Sequence, residues 1–240
     1  MIETNTKLPR NVVPQRYVLT LEPDLKAHRF EGSETVEVEI VEPTTEITLN
    51  SAELEVLSCT LIGAGPEVRP RDISFKIDAE TVTFSFDSTL PAGPATLAID
   101  FSGELNDKLR GFYLSSYTTL DGQTQDLATT QFESTDARRA FPCWDEPSIK
   151  ATFDVTLVVD AGLVAVSNME IVSNTETLAG KRAFHFAPTP VMSTYLLAFV
   201  VGDLASIEDR ADDGTLIRIW ATRGNEEKGR FALETSIALL

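Results

Sequence analysis

The chain has 240 residues, of which 42% are hydrophobic and 24% charged, so it can bury a substantial core as one large all-β unit. Its 37 acidic and 20 basic side chains give a formal net charge of −17 at pH 7. Such a charge repels phosphate backbones and anionic lipid surfaces, which argues against nucleic acid or a membrane as a partner. It favours cationic ligands, although a solubilising surface explains it equally well.

Strands are predicted along most of the chain because apolar and polar residues alternate. In residues 35–40, for example, Val36, Val38 and Ile40 share one face, as in a half-buried strand. Turns such as residues 63–66, rich in Gly and Pro, separate these segments. The pattern predicts about a dozen or more short strands. They include residues 17–21, 35–40, 47–49, 54–57, 73–77, 82–86, 97–101, 153–159, 183–186 and 216–220. We therefore predict an all-β fold, a large antiparallel β-sandwich or saddle.

The last part of the chain, residues 225–240, has a helical pattern instead. Asn225 is a candidate N-cap, and acidic residues follow it in the first turn. The apolar residues near helical spacing are Phe231, Leu233, Ile237 and Leu240. A helix with an apolar face needs a packing partner, so we expect the chain to be the front part of a longer protein.

Cysteine usage and the ends of the chain bear on localisation. Cys59 and Cys143 are far apart in sequence, which indicates a reducing compartment rather than a disulfide framework. Residues 1–6 lack the basic and apolar regions of a secretory signal. The longest uninterrupted apolar stretch, residues 195–201, is too short to span a bilayer. We therefore expect a cytoplasmic protein.

The chain lacks self-contained catalytic motifs. Zinc peptidases commonly hold their metal with His-Glu-x-x-His on one helix, and here the only histidines, His28 and His185, are far apart. Each is interpreted as a structural or surface residue. Neither a Gly-x-Ser-x-Gly motif nor a cysteine with an evident base occurs. We expect this chain alone to bind no metal and to hydrolyse nothing.

The most informative run covers residues 130–147, Thr-Gln-Phe-Glu-Ser-Thr-Asp-Ala-Arg-Arg-Ala-Phe-Pro-Cys-Trp-Asp-Glu-Pro. Its bulky apolar residues would bury a segment whose charged residues need partners. On the residues alone, two interpretations of Glu133 stay open: a ligand anchor, or a partner of Arg138 or Arg139 in a structural ion network. These arginines are expected to pair with Asp136, Asp145 or Glu146.

This run resembles the signature stretch of the zinc aminopeptidase family that includes aminopeptidase N, the puromycin-sensitive aminopeptidases and the tricorn-interacting factors. Further matches occur in the family's order, in residues 8–17, 30–32, 111–113, 136–147, 167–169 and 189–197. The resemblance covers the whole chain but only part of such an enzyme. It implies an N-terminal β-domain over residues 1–222 and, over residues 223–240, the start of a helical, thermolysin-like catalytic domain that carries the zinc.

The resemblance also implies roles for three residues. In that family a Gln-x-Glu element reaches into the active-site cleft, and here it is Gln131, Phe132 and Glu133. Glu133 would bind the free α-ammonium of a peptide, Gln131 would line the pocket for the first side chain, and Phe132 would form part of the cleft wall. A buried carboxylate left unpaired by a mid-chain amide would disfavour internal peptide bonds. The implied partners are peptides with a free N-terminus and the catalytic domain that binds zinc.

A second interpretation belongs to another functional class. The chain could be a noncatalytic β-sandwich module that mediates protein interactions on an aminopeptidase-like framework, because function lives in the site rather than in the fold. The sequence after Leu240 discriminates between the two interpretations. A His-Glu-x-x-His helix would favour the enzyme, and a stop codon would favour the scaffold.

Overall fold

A computed structural model of the protein describes residues 7–63 and 67–240. Two sequence-based predictions therefore lie outside the described residues, the missing secretory signal over residues 1–6 and most of the turn over residues 63–66. No helix in the part of the chain that the structure describes is long and apolar enough to cross a membrane.

The all-β prediction is confirmed, with seventeen strands and one α-helix in the described ranges. The strands are β1 (Val12–Asp24), β2 (Arg29–Ile40), β3 (Thr44–Asn50), β4 (Leu54–Ile62), β5 (Asp72–Lys76), β6 (Thr81–Leu90), β7 (Gly93–Glu104), β8 (Gly111–Thr118), β9 (Thr124–Gln131), β10 (Lys150–Val159), β11 (Val164–Ser167), β12 (Ile171–Glu176), β13 (Arg182–Phe186), β14 (Met192–Ser193), β15 (Phe199–Gly202), β16 (Leu204–Arg210) and β17 (Leu216–Thr222). The helix α1 covers Arg230–Leu239. Every predicted strand lies within or largely within one of these elements.

The largest sheet has the order β12-β13-β10-β1-β2-β7-β4, and the short strand β14 also pairs with β10. Its neighbours are antiparallel except β1 and β10, which run parallel with Tyr17 beside Phe153. The prediction of antiparallel sheets missed this pair, because alternation describes which face a residue occupies and not the direction of its neighbour. Two smaller sheets have the orders β3-β6-β5 and β11-β15-β9-β8.

The C-terminal helix packs against the separate hairpin of β16 and β17. A 3-10 turn, Glu226–Gly229, precedes α1, so the helix begins later than the predicted residue 225. The predicted cap is wrong: the Asn225 side chain makes no capping bond and instead donates to Thr222 Oγ1 at 2.9 Å. Leu233 is the buried residue of the helix, whereas Phe231 is exposed. The proposed domain division after residue 222 stays a prediction.

Stacked aromatic side chains fill the core between the sheets. Tyr17 and Phe153 lie parallel with ring centroids 4.9 Å apart, and Phe141 packs edge-on against Tyr17 at 5.8 Å. Such pairs add about 0.5–1.5 kcal/mol each beyond the burial of their area. The core therefore includes the middle of the 130–147 run, where Phe141 and Trp144 are fully buried.

Candidate functional site

The residues matched to the Gln-x-Glu element lie where β9 ends. Gln131 is the last residue of β9 and is paired with Gly111, the first residue of β8. The chain then turns, because the Asp136 amide donates to the Phe132 carbonyl at 2.9 Å. A 3-10 turn, Ala137–Arg139, follows directly. Glu133 thus occupies a short turn between a strand and a helical turn.

Phe132 is 2% exposed, and its ring packs in the core rather than on a surface. Its centroid lies 6.2 Å from that of Phe141 and 5.8 Å from that of Phe199, both in edge-on geometry. The expectation that Phe132 forms a cleft wall therefore needs correction, since its side chain is not available to a ligand at the surface of this domain. It anchors the segment, while Gln131 and Glu133 on either side of it are exposed.

Glu133 is not part of a structural ion network in the described residues. Its carboxylate takes part in no ion pair or hydrogen bond there, and only its backbone carbonyl accepts a weak bond, from Gln131 Nε2 at 3.4 Å. The geometry thus argues against the ion-network interpretation of this residue, and the ligand anchor stays a prediction. The carboxylate is nevertheless exposed, so these residues do not supply the water exclusion that would strengthen an ammonium bond.

Arg138 and Arg139 pair with acidic residues other than Glu133. Arg138 Nε lies 3.0 Å from Asp145 Oδ2, and Arg139 Nε lies 2.8 Å from Asp136 Oδ1, which confirms two of the expected pairings. Glu146, the remaining candidate, pairs with a different arginine: it is 2.7 Å from Arg10 Nη2 and also accepts the Leu8 amide. The fixed fork of an arginine side chain suits such multiple acceptors.

Two further acidic partners come from outside the run, and sequence reasoning missed them. Glu80 contacts both Arg138 and Arg139, and Glu53 Oε1 lies 2.9 Å from Arg139 Nη1. Burial alone would lower the pKa of Arg139, but its bond to Asp136 and the charges of these glutamates raise that pKa above its ordinary value. The guanidinium therefore stays charged in a site where its side chain is only 8% exposed.

Asp145 fixes the end of the run in the interior. It is 1% exposed and accepts the Thr194 hydroxyl at 2.7 Å in addition to Arg138. Its amide donates to Asn50 Oδ1 at 3.1 Å, and the neighbouring Cys143 exchanges backbone bonds with Asn50. These contacts tie residues 136–147 to the strand that ends in Asn50, which is a scaffold role.

The donor set of this chain does not fit zinc. His28 lies 3.7 Å from Asp126, whereas His185 Nδ1 is 2.9 Å from Thr156 Oγ1 on a neighbouring strand of the large sheet. Within residues 7–63 and 67–240 no three or more His, Cys, Asp and Glu side chains are arranged to hold a metal. No catalytic step is therefore derived through a metal in this chain.

Comparison with known proteins identifies the family. The sequence model of the Peptidase M1 N-terminal domain matches residues 13–196. The chain belongs to this family. Aminopeptidase M1-C of Oryza sativa subsp. japonica is 43% identical over 235 residues, which cover 98% of this chain and 26% of the relative. Puromycin-sensitive aminopeptidase of Caenorhabditis elegans is 41% identical over 233 residues, 96% of this chain and 25% of the relative.

A third relative, "Aminopeptidase 2, mitochondrial" of Saccharomyces cerevisiae, is 42% identical over 238 residues, covering 97% of this chain and 24% of the relative. This M1 N-terminal domain thus spans about a quarter of the length of the curated relatives it matches. The resemblance found in the sequence is confirmed at the level of the family.

Proposed function

We propose that this M1 N-terminal domain is the substrate-recognition part of a zinc metallo-aminopeptidase that removes N-terminal residues from peptides. Glu133 binds the α-ammonium of the peptide, and Gln131 contacts its first side chain. The observation that carries this proposal is the Glu133 carboxylate, which is exposed and free of partners among the described residues. The two arginines that follow it in sequence, Arg138 and Arg139, pair with other acids. Zinc would polarise the peptide bond from outside this chain.

The difference between a free α-amino group and a mid-chain amide explains why this site would select peptide N-termini. A free α-amino group has a pKa of about 7.7–8.0, so it is largely protonated at neutral pH and forms a charge-assisted bond with a carboxylate. A peptide presented mid-chain offers a neutral amide instead. Truncating one partner of a buried, hydrogen-bonded charge pair costs about 2–5 kcal/mol, enough to reject internal bonds. Burial of this kind requires a second surface over Glu133, which the remaining length of the relatives could supply.

Phe132 acts in this proposal as the anchor of the segment. Its buried ring holds the backbone between Gln131 and Glu133, so both exposed side chains start from a fixed position. The net charge of −17 favours cationic peptide ends over phosphate or anionic lipid as partners. We place the protein in the cytoplasm as part of the same proposal, although one relative is named as mitochondrial.

The test is a Glu133→Gln variant of the native full-length protein. Glutamine keeps the shape and removes the charge, so kcat/KM for peptides with a free N-terminus should fall by about 30-fold or more. Glu42→Gln, at an exposed glutamate after β2, is the matched control and should behave as the parent. An unchanged kcat/KM in Glu133→Gln would contradict the anchoring role.

The isolated chain provides a complementary measurement. We expect the purified 240-residue chain to release no amino acids from peptides, since its described residues provide no metal site. Chelator-sensitive release by this chain would contradict that expectation. If the native full-length protein also lacked aminopeptidase activity, the noncatalytic interaction module would become the better interpretation.

A further inference from the structure

One carboxylate joins the two arginines that follow the proposed recognition residues. Glu80 lies between the 3-10 turn Ile77–Ala79 and β6, well before these arginines in sequence. Its Oε2 accepts from Arg138 Nη1 at 3.1 Å, and its Oε1 accepts from Arg139 Nη2. The arginine side chains are only 11% and 8% exposed. Two adjacent guanidinium groups repel each other where water is scarce, and Glu80 is the counter-ion they share.

The first connection from Glu80 leads to the turn that carries Glu133. Arg139 holds Glu80 with one nitrogen and donates from Nε to Asp136 Oδ1 at 2.8 Å. The Asp136 amide in turn closes the turn onto the Phe132 carbonyl at 2.9 Å. The Arg139 side chain therefore links Glu80 to the residue whose backbone defines the Glu133 turn.

The second connection leads to the strand end that carries Gln131. Arg139 lies directly against Gly111, where the Cβ of any larger residue would be 2.7 Å from Arg139 Cβ. Gly111 is the ladder partner of Gln131, so the aliphatic stem of Arg139 packs against the opposite strand at that position. Displacement of Arg139 would therefore disturb both ends of the segment from Gln131 to Glu133.

The backbone at Glu80 is itself unusual. Its φ is 50°, in the left-handed region that side chains other than glycine rarely adopt. The conformation is held from both sides, because the Glu80 amide donates to Ile77 and its carbonyl accepts the Ser51 amide at 2.8 Å. Strained backbone persists where the surroundings determine it, and it clusters at functional positions. Here it aims the Glu80 carboxylate at the arginine pair.

We propose that Glu80 is a positioning residue for peptide recognition, which holds Gln131 and Glu133 in place through Arg139. The inference rests on the proposed function and extends it to a residue in the turn before β6. Glu80 touches no substrate in this proposal. It acts by fixing Arg139, and Arg139 fixes the segment through Asp136 and Gly111.

The test is a double-mutant cycle in the native full-length protein, with Glu80→Gln, Glu133→Gln and both together. Glu80→Gln should raise KM for free N-terminal peptides by about tenfold with a smaller change in kcat, because a misplaced anchor weakens binding. In the Glu133→Gln background, Glu80→Gln should raise KM by less than about twofold, since the anchor that Glu80 positions is already gone. Glu208→Gln, in the exposed pair with Arg218, is the control and should match the parent.

Two additions keep the result decisive. Should Glu80→Gln fail to fold, Glu80→Asp keeps the charge but is one methylene too short to reach both arginines, and it should show the same pattern at a smaller size. Hydrogen exchange of the Asp136 amide gives a readout that does not depend on activity. It should quicken in Glu80→Gln by about tenfold and remain unchanged in Glu208→Gln.

The outcomes separate the two proposals. If Glu133→Gln behaves as the parent, the proposed function fails and the positioning role fails with it. If Glu133→Gln is impaired but Glu80→Gln is not, only the positioning role is overturned. Equal losses from Glu80→Gln in both backgrounds, with a lowered Tm, would make Glu80 a purely structural residue and would also overturn the positioning role.

Discussion

Glu34 is a buried carboxyl group without a partner among the described residues, and we predict that it makes the protein less stable as the pH rises. It lies in β2, is 3% exposed, and is flanked on the neighbouring strands by Leu19 and Ile99, which are fully buried. Neither of its carboxylate oxygens has a hydrogen-bond partner in the part of the chain that the structure describes. Burial raises the pKa of Glu34 well above its ordinary value, because it disfavours the charged form.

The sign of the effect follows from the two states of the chain. Below about pH 4.3, the ordinary glutamate pKa, folded and unfolded chains both hold this proton, and Glu34 adds no pH dependence. Above that pH the unfolded chain releases the proton while the folded chain keeps it, up to the raised pKa of the folded state. The free energy of unfolding therefore falls by about 1.4 kcal/mol per pH unit, or about 2.7 kcal/mol over two units inside this window.

The perturbation is Glu34→Gln, which has the shape of the neutral acid and does not titrate. Urea unfolding of both proteins between about pH 5 and pH 8 gives a difference in which other titrating groups cancel. The free energy of unfolding of the variant should rise relative to that of the parent as the pH increases, by up to about 1.4 kcal/mol per pH unit, until the pH passes the raised pKa of Glu34. The control, Glu31→Gln at an exposed position of the same strand, should show no such slope. A pH-independent difference for Glu34→Gln would refute the reasoning.

Two further predictions concern reactivity and packing. Cys59 and Cys143 are free and buried, and burial raises the pKa of Cys59 to about 12 and that of Cys143 well above its ordinary value. Both thiols should therefore resist a chromogenic disulfide reagent near pH 8 until urea unfolds the chain, and rapid labelling of the native protein would contradict this. Gly111→Ala should lower the free energy of unfolding by more than about 1 kcal/mol, because Gly111 has a φ of +69° and abuts Arg139. Gly122→Ala, at a φ of +84° with no atom within 4 Å, measures the backbone strain alone, and an equal loss there would show that the contact contributes nothing.

The sequence predicted the strands whose apolar residues alternate, because burial of one face imposes that period on the residues themselves. It missed β12, which is exposed along its whole length and is held only by its ladder with β13. It also missed β9, whose largely polar residues give no clear alternation although its pairing with β8 covers all eight positions. Such strands are specified by their neighbours, which a local pattern cannot reveal.

The predicted site was incomplete for a related reason. Charges close in sequence suggested that Arg138 and Arg139 would pair within their own run, and Asp136 and Asp145 do so. Glu80 comes from a distant turn of another sheet, and nothing in its local sequence distinguishes it from other turn glutamates. Partners brought together by topology are found only when the fold is known.

The alternation of burial at the end of β9 separates anchoring from recognition. Phe132 is fixed in the core, and its packing holds the backbone between the exposed residues Gln131 and Glu133. An exposed ion pair between a carboxylate and a cation contributes about 0–1 kcal/mol to binding, because water competes for both charges. A buried ion pair contributes several times more. In the proposed function, the exposed Glu133 carboxylate would therefore bind a cation only weakly on its own. The selectivity for peptide ends that we propose would then depend on a surface that covers Glu133 when the substrate is bound.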